Sequence, residues 1–483
     1  MFILALTATL QKGLYKGKHM SENKTEQFAL LNHVVVPILA SDGFVLVLDN
    51  GAVIDAEAEA MLQALYSRDP GSVLAHLKQI AEKGAEKFMA QYYVGYNHKS
   101  IGDCGTGTIF IEGVSMLCAK AIQDWMLYAG QEVSTRYVDF AHQAFVDPVA
   151  SVLSKEIFER LRAFYVSAMD PLKADLRLRY PKDADEPEKK YENAISARAF
   201  DILRGYLPSG ASTSLAWHTN LRQAADKLTV LRHHPLPEVL ATAKALWDGL
   251  EKKYPSSFSH KEYEATEAYN HSWMNEDYLF TGRNTFPDFA VSRDGIDRMQ
   301  MNQPAVQRLL SSRPPKTELP KFLGELGTIT YEFLLDFGSY RDVQRQRSVI
   351  QRMPLVSTQY GFEDWYLNEL PDALRMEARQ VLAETVADID ELGGKGIAKE
   401  LLQYYVPMGF KIPNRISGDL PAFVYIAELR ATPMVHPTLQ KRAQQIAKSL
   451  EADFGKFGLK VFVSDEIGRF DTRRGSQTIE KKE

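Results

Sequence analysis

Residues 131–140 read QEVSTRYVDF and set a carboxylate, a hydroxyl, a guanidinium and a phenol (Glu132, Ser134, Arg136, Tyr137) close together. In extended backbone alternate side chains share a face, so Glu132, Ser134 and Arg136 point one way and Thr135 and Tyr137 the other. A guanidinium beside a hydroxyl suits a phosphate, because arginine donates through a planar fork and serine adds a donor. Glu132 would accept from a sugar hydroxyl or pair with Arg136, and an ordinary surface ion pair fits the segment as well. A second concentration is YRDVQRQRSVIQR, residues 340–352, where Arg341, Arg345, Arg347 and Arg352 meet a single acid, Asp342. Helical spacing would bring Arg341 and Arg345 together, with Arg352 one turn beyond Ser348. Four arginines without a lysine favour a polyanion such as a diphosphate; a solvated face or an ion-pair network between subunits gives the same pattern.

Other reactive groups carry less. No glycine-rich phosphate loop and no strand–GxGxxG–helix unit occurs, so a Rossmann dinucleotide fold has no support. His233 and His234 in RHHP (232–235) have no carboxylate or cysteine at metal spacing; they read as a surface turn, and no metal site is expected. Cys118, in the apolar run SMLCAKAI, reads as core, whereas Cys104 lies in a glycine-rich stretch where reactivity stays open. His98 could serve as a donor or general base.

These groups need a scaffold. The chain has 483 residues, 45% hydrophobic and 25% charged, with a net charge of −5. That is the balance of an ordinary soluble globular protein and argues against a general nucleic-acid binder. Two cysteines suit a reducing cytosol and exclude a disulfide framework or a four-cysteine zinc site. The opening MFILALTATL is too short to span a bilayer and lacks a preceding basic segment, so the expected location is cytoplasmic, with no membrane partner. The last residues, polar and charged, read as a frayed tail.

Apolar residues three and four apart predict helices in EAEAMLQALYS, VLAHLKQIAEKGAEKFMAQYY and PTLQKRAQQIAKSLEADF. FALLNHVVVPILA, GFVLVLDN, GTIFIEGVS and GTITYEFLLDFGS read as strands or strand and loop. The class is therefore α+β with helix in excess. GTIFIEGVSMLCAKAIQDWM and GTITYEFLLDFGSYRDVQRQR resemble each other, as do the stretches around Pro208 and Pro407, which suggests an internal repeat. The spacing differs between the two pairs of landmarks, and DLRLRYPKDADEPEKKYEN (175–193) is the expected surface insertion in the first half. The halves would meet between about 255 and 300, where HSWMNEDYLFTGRNTFPDF shows no clear period.

HKSIGDCGTGTIFIEGVS followed by QEVSTRY resembles the flavin-dependent thymidylate synthase family, whose members read roughly GHxSxxEH, an IEGVS-type segment, then RHRxxSxNExSxRY. The likeness covers about residues 85–250 and again, more weakly, 303–453. It implies two tandem copies of that family's fold, a central antiparallel or mixed sheet with long helices. The first copy would span 25–255, a connecting region 256–300 and a second, degenerate copy 301–465, with 466–483 as a flexible tail. It implies FAD as cofactor, methylenetetrahydrofolate and NADPH as co-substrates, and methylation of deoxyuridine monophosphate to thymidylate. By the same resemblance Glu132, Ser134, Arg136 and Arg204 would hold the nucleotide, and His98, Ser100, Asn220 and Arg222 the flavin. Arg232 resembles the arginine that polarises the uracil, although its spacing from Asn220 is one residue too long.

The departures are complementary. Asp124, Trp125 and Met126 stand where the first half should carry the flavin-holding RHR. In the second half Arg345, Gln346 and Arg347 look like that motif with its histidine replaced, while LVST (355–358) lacks the SxRY arginine. Gln403, Asp419 and Pro421 replace the expected Arg, Asn and Arg, yet Arg430 keeps the family's spacing. This implies a split site, with nucleotide groups from the first half and Arg345, Gln346, Arg347 and a catalytic Arg430 from the second. A homodimer would then rebuild the family's four-lobed assembly. Two other readings remain: flavin-dependent modification of another pyrimidine nucleotide, and a non-catalytic nucleotide-binding homologue.

Overall fold

A computed structural model describes residues 34–47, 55–67, 73–95, 98–135, 138–184, 186–278, 285–352 and 354–465. Arg136, Tyr137, the opening segment and residues 466–483 lie outside the described residues. The class is mixed helix and sheet, and every strand pairing is antiparallel. The first sheet comprises β1 (Val34–Pro37), β2 (Phe44–Val47), β3 (Thr106–Ser115), β4 (Ala129–Glu132) and β5 (Ser212–Asn220), in the order β1-β2-β3-β5-β4. The second comprises β6 (Phe289–Asp294), β7 (Thr328–Asp336), β8 (Ile350–Gln351) and β9 (Lys411–Gly418), in the order β6-β7-β9-β8.

The helices that position the site are α1 (Lys99–Gly102), α2 (Met116–Gln123), α3 (Val152–Arg179), α4 (Glu188–Leu203), α5 (Leu221–Leu231) and α6 (Pro237–Lys253) in the first half. Then come α7 (Glu264–Tyr278), α8 (Phe337–Val343), α9 (Asp372–Gly394), α10 (Leu420–Arg430) and α11 (Pro437–Phe454). The order central strand, helix, edge strand, long helix, a further helix, strand, two helices runs from β3 to α6 and recurs from β7 to α11, where the short helix Asp364–Asn368 also precedes the long one. Polar residues at the strand ends start these helices. Ser115 caps α2, Asn220 caps α5, Asp336 caps α8 and Asp419 caps α10, each side chain accepting a backbone N–H inside the first turn.

The expected insertion is largely exposed, as its charge requires, but much of it is helical. It closes α3 and opens α4, a 16-residue helix where the second half has only the four-residue Lys399–Leu402. The stretch from 271, which shows no period in sequence, supplies the end of α7 and the first residue of β6. The apolar run at 73–93 is an α-helix to Lys83, resumes over Glu86–Phe88 and passes into a π-helix over Met89–Gly95.

The halves meet through a reciprocal backbone exchange. Pro208 and Pro407 face each other in an antiparallel bridge. Ser209 N–H donates to Val406 O (2.9 Å) and Met408 N–H to Leu207 O (2.8 Å). Gly210 N–H donates to Tyr404 O and Gly409 N–H to Gly205 O, both at 2.7 Å. The same bonds are made in both directions, as at a two-fold contact. No unburied seam divides the halves: one core holds most buried apolar residues of the first half together with Phe337 to Ile412 of the second. A second core, Met301 to Val461, lies under the second sheet. Long helices α3 and α9 also pair, with Arg160 reaching Glu384 (3.2 Å) and Asp388 (2.6 Å).

The crossing leaves no room for side chains at its glycines. A Cβ on Gly205 would lie 2.7 Å from the Tyr366 ring, and one on Gly409 would lie 2.5 Å from the Phe362 ring. Gly205→Ala and Gly409→Ala should each lower stability by about 1–3 kcal/mol through overpacking. Urea denaturation measures this, and a loss below about 0.5 kcal/mol at both would show a looser crossing than described.

Candidate functional site

Helix α2 is buried along its whole length, yet it carries Lys120 among apolar neighbours. Its ammonium donates to Glu132 Oε2 at 2.7 Å, and Gln123 Nε2 donates to the same oxygen at 3.0 Å. The other oxygen of Glu132 is taken by Arg341 of α8, from the second half. Gln344 Nε2 reinforces the junction by donating to the Lys120 carbonyl at 2.9 Å. A buried charge is costly unless paired, and here one carboxylate serves two cations. Desolvation pushes Glu132 up, but Arg341 and Lys120 outweigh it and hold the carboxyl at about 2. Burial pushes Lys120 down to about 8 against the opposing pull of Glu132.

The sign of the pH effect follows. Glu132, depressed from 4.5 to about 2, contributes stability that is complete above pH 4.5 and disappears as pH falls toward 2. That contribution is about 3 kcal/mol. Lys120 acts oppositely: its lowered value opposes folding below about pH 8, and the opposition fades as pH rises toward 10.5. Denaturation midpoints followed from pH 5 to 2 should fall less steeply in Glu132→Gln than in the parent, and equal slopes would contradict this assignment.

Next along the chain the arginines separate. Helix α8 ends at Val343, and residues 344–349 turn into β8, so the single helical face expected for 341–352 is not formed. Ile350 and Gln351 pair with β9 instead, and β-branched Ile350 suits the extended backbone. Arg341 turns inward to Glu132, whereas Arg345 bends back to Asp342. Burial raises the Asp342 carboxyl, but the charges of Arg345, Arg430, Arg204 and Arg341 hold it below its ordinary value. Arg204 arrives from the first half. Its buried guanidinium donates to Ser339 Oγ at 3.2 Å, and its Nε has no partner among the described residues. Burial works against its charge, and Tyr366, Asp201, Asp336 and Asp342 outweigh that and raise its pKa. Arg430, last in α10, is pushed below the usual arginine value by burial, and Arg345 adds to the push. With its amide turned so that the oxygen faces Arg430, Gln346 accepts from Arg430 Nη2 (3.0 Å) and Nε (3.2 Å).

Beside this cluster lies a cavity of about 360 Å³ between the halves. Residues 123–126, 128 and 130 form one wall, and 344–347 and 349–352 form the other. Arg345, Arg347 and Arg352 line the second wall and Asp124 the first, with Arg345 also paired to Asp342. The position expected to hold RHR in the first half thus faces the RQR of the second across one opening.

The remaining expected residues are distributed. His98 precedes α1, Ser100 lies on it, and Asn220 caps α5 through a 2.8 Å bond from Gln223 N–H. Arg222 reaches Asp103 at 2.8 Å, so these four form a first-half group around α1 and the start of α5. Trp125 links them to the cavity, because its Nε1 donates to Gln223 Oε1 at 2.9 Å. Ser134 is exposed beyond the end of β4 while Glu132 is buried, so the two do not share a ligand-facing surface. Arg232 is a correction to the expectation. It caps the far end of α5 and is taken up by Glu262 (2.7 Å) and Glu267, with no part in the cavity. One residue along a helix turns a side chain by about 100°, which is why Arg430 reaches the cluster and Arg232 does not.

Cys118 is core as expected, and burial raises the Cys104 thiol with Asp103 and Glu59 adding to it, which argues against a reactive thiolate. His234 is buried rather than on a surface turn, and desolvation pushes it down to about 3. No metal-holding group of His, Cys, Asp or Glu occurs among the described residues, and none of their helices is long and apolar enough to cross a membrane. Lys120, Arg341, Gln344 and Asp342 escaped the sequence reading as a unit. The available signal was one lysine in an otherwise apolar helix, which demands a buried acid.

Comparison with known proteins covers the first-half portion of this arrangement. Residues 50–256 match the family of thymidylate synthase complementing proteins. The thymidylate synthase-like segment therefore contains β3, the Glu132 strand, Arg204 and the α1–α5 group. Full-length likeness is more distant. A UPF0159 protein of Chlamydia pneumoniae is 24% identical over 418 residues, covering 76% of this chain and 78% of its own. One from Chlamydia muridarum is 23% identical, covering 81% and 84%, and one from Thermoplasma acidophilum is 24% identical, covering 81% and 92%. These shares exceed the segment matched to the thymidylate synthase complementing family, so the likeness runs into the second half.

Proposed function

We propose that the chain is a flavin-dependent thymidylate synthase with one site shared between two family-like halves, the first over about 25–255 and the second over 301–465. The observation that carries this reading is the convergence of Arg204 from one half with Arg345 and Arg430 from the other around Asp342, beside the arginine-walled cavity. The recurring element order and the reciprocal Pro208–Pro407 exchange support a tandem origin.

The residues fit part of FAD. Arg345 and Arg347, which line the cavity, suit a diphosphate because a guanidinium donates through a planar fork. Asn220 and Arg222, grouped with His98 and Ser100 around α1, would hold a further part of the cofactor. When bound, reduced flavin supplies hydride to C5-methylation chemistry, with methylenetetrahydrofolate as carbon source and NADPH as reductant. The protein's own task is to align the partners and to stabilise charge developing on the uracil, which falls to Arg430. Ser134 and Arg136 would approach the nucleotide from the first half. The reading places the enzyme in the cytoplasm as a homodimer.

A second reading, modification of another pyrimidine nucleotide, is favoured by one observation: both oxygens of Glu132 are engaged by Lys120 and Arg341 and are not offered to a ribose. The deciding assay incubates FAD-loaded protein with deoxyuridine monophosphate, methylenetetrahydrofolate and NADPH and quantifies thymidylate. Product supports the first reading. A flavoprotein that forms none favours the second, and a colourless protein that still binds the nucleotide would contradict both.

A further inference from the structure

We infer that the first-half wall of the cavity is a seat for a planar heterocycle, so that the cavity takes one phosphorylated ring compound in a fixed direction. The ring would lie against Trp125 and Met126, and its phosphates against Arg345 and Arg347. The inference rests on the cavity being a ligand site, as proposed above, and assigns the ligand-facing role of residues that the family resemblance leaves empty.

Three features of the wall support it. Trp125 is half-buried and held from two sides. Its Nε1 is bonded to Gln223, while Lys227 sits with Nζ 5.5 Å from the ring centroid and donates to the Asp124 carbonyl at 2.7 Å. An indole fixed in this way presents ring surface without losing rotamer freedom on binding. Next to it Met126 is 59% exposed, and Ile350 across the opening is 70% exposed, so apolar side chains stand at the mouth of a charged cavity. Behind them Tyr128 is buried and tied to Ala216 O at 2.8 Å. Gly130 has no space for a side chain, because a Cβ would lie 1.9 Å from that same carbonyl oxygen.

The two walls are therefore chemically unlike. The guanidinium groups of Arg345 and Arg347 draw phosphate to one wall, and the other offers the ring of Trp125 and the exposed Met126. An inorganic anion would use one wall; a flavin mononucleotide or a pyrimidine nucleotide would use both.

Calorimetric titration of the full chain with flavin mononucleotide, deoxyuridine monophosphate and inorganic pyrophosphate separates these contributions. Trp125→Leu should weaken the tighter-binding of the two ring compounds about tenfold or more and leave pyrophosphate within about twofold. Trp125→Phe should keep most of the affinity. Met126→Ser, at an exposed position, should weaken the ring compound by a smaller factor without touching the fold. Arg345→Gln/Arg347→Gln should weaken all three. The inference is overturned if Trp125→Leu and Met126→Ser leave ring-compound affinity unchanged, even where the parent binds flavin and the proposed function stands. It is also overturned if Trp125→Leu weakens pyrophosphate as much as the ring compound, or if the parent binds pyrophosphate but neither ring compound. A parent that binds none of the three sinks both this inference and the proposed function.

Discussion

Replacing Arg345 and Arg347 together by glutamine should leave a folded protein that no longer retains flavin through gel filtration. Both arginines are exposed, and in the ion pair of Arg345 with half-buried Asp342 half of the arginine side chain is accessible. Exposed pairs contribute about 0–1 kcal/mol, so the fold should hardly respond. Ligand binding should respond strongly. Each charge-assisted bond to a phosphate is worth about 1.5–3 kcal/mol, and losing two would cost a factor of about 10²–10⁴ in affinity. Visible absorbance of the recovered protein reads the result directly. Flavin retained at the parental level would place the cofactor elsewhere or remove it from the account.

Glu132→Gln should have the largest effect on stability of any single substitution in the site. It removes the only carboxylate bonded to buried Lys120 and leaves the Arg341 guanidinium facing a neutral amide. Stranding buried charge in this way costs about 3–5 kcal/mol. Removing all three charges, as Lys120→Met/Glu132→Leu/Arg341→Met, should restore most of the loss, because well-packed apolar groups commonly replace a buried ionic set without penalty. Urea denaturation at pH 7 distinguishes the cases. A single-variant loss below about 1 kcal/mol would mean that water reaches the triad.

Strands β3 and β7 were legible because β-branched and aromatic residues after a glycine mark both. The edges β4 and β8 and helix α7 were not, since short edge strands and a polar-faced helix carry little periodicity. At the site, Arg345 could be named because an arginine-rich run suits phosphate, and Arg204 and Arg430 because their positions match the family resemblance. Their meeting at Asp342 could not, because it depends on how α8 ends and on the crossing at Pro208 and Pro407. Glu132 shows the limit most clearly. Its motif spacing points to a nucleotide contact, while the structure gives its oxygens to a lysine twelve residues earlier and an arginine of the other half. Spacing along one segment cannot register a partner that comes from a distant one.

The measurement that bears most directly on a site shared between halves is the number of flavins bound per chain. Titration of the purified protein with FAD, read by absorbance after removal of excess, should saturate at one per chain, since only one wall carries the RQR arginines and only one half carries Arg204. Two per chain would mean that each half holds its own cofactor, and none would mean that the arginine cavity serves some other anion.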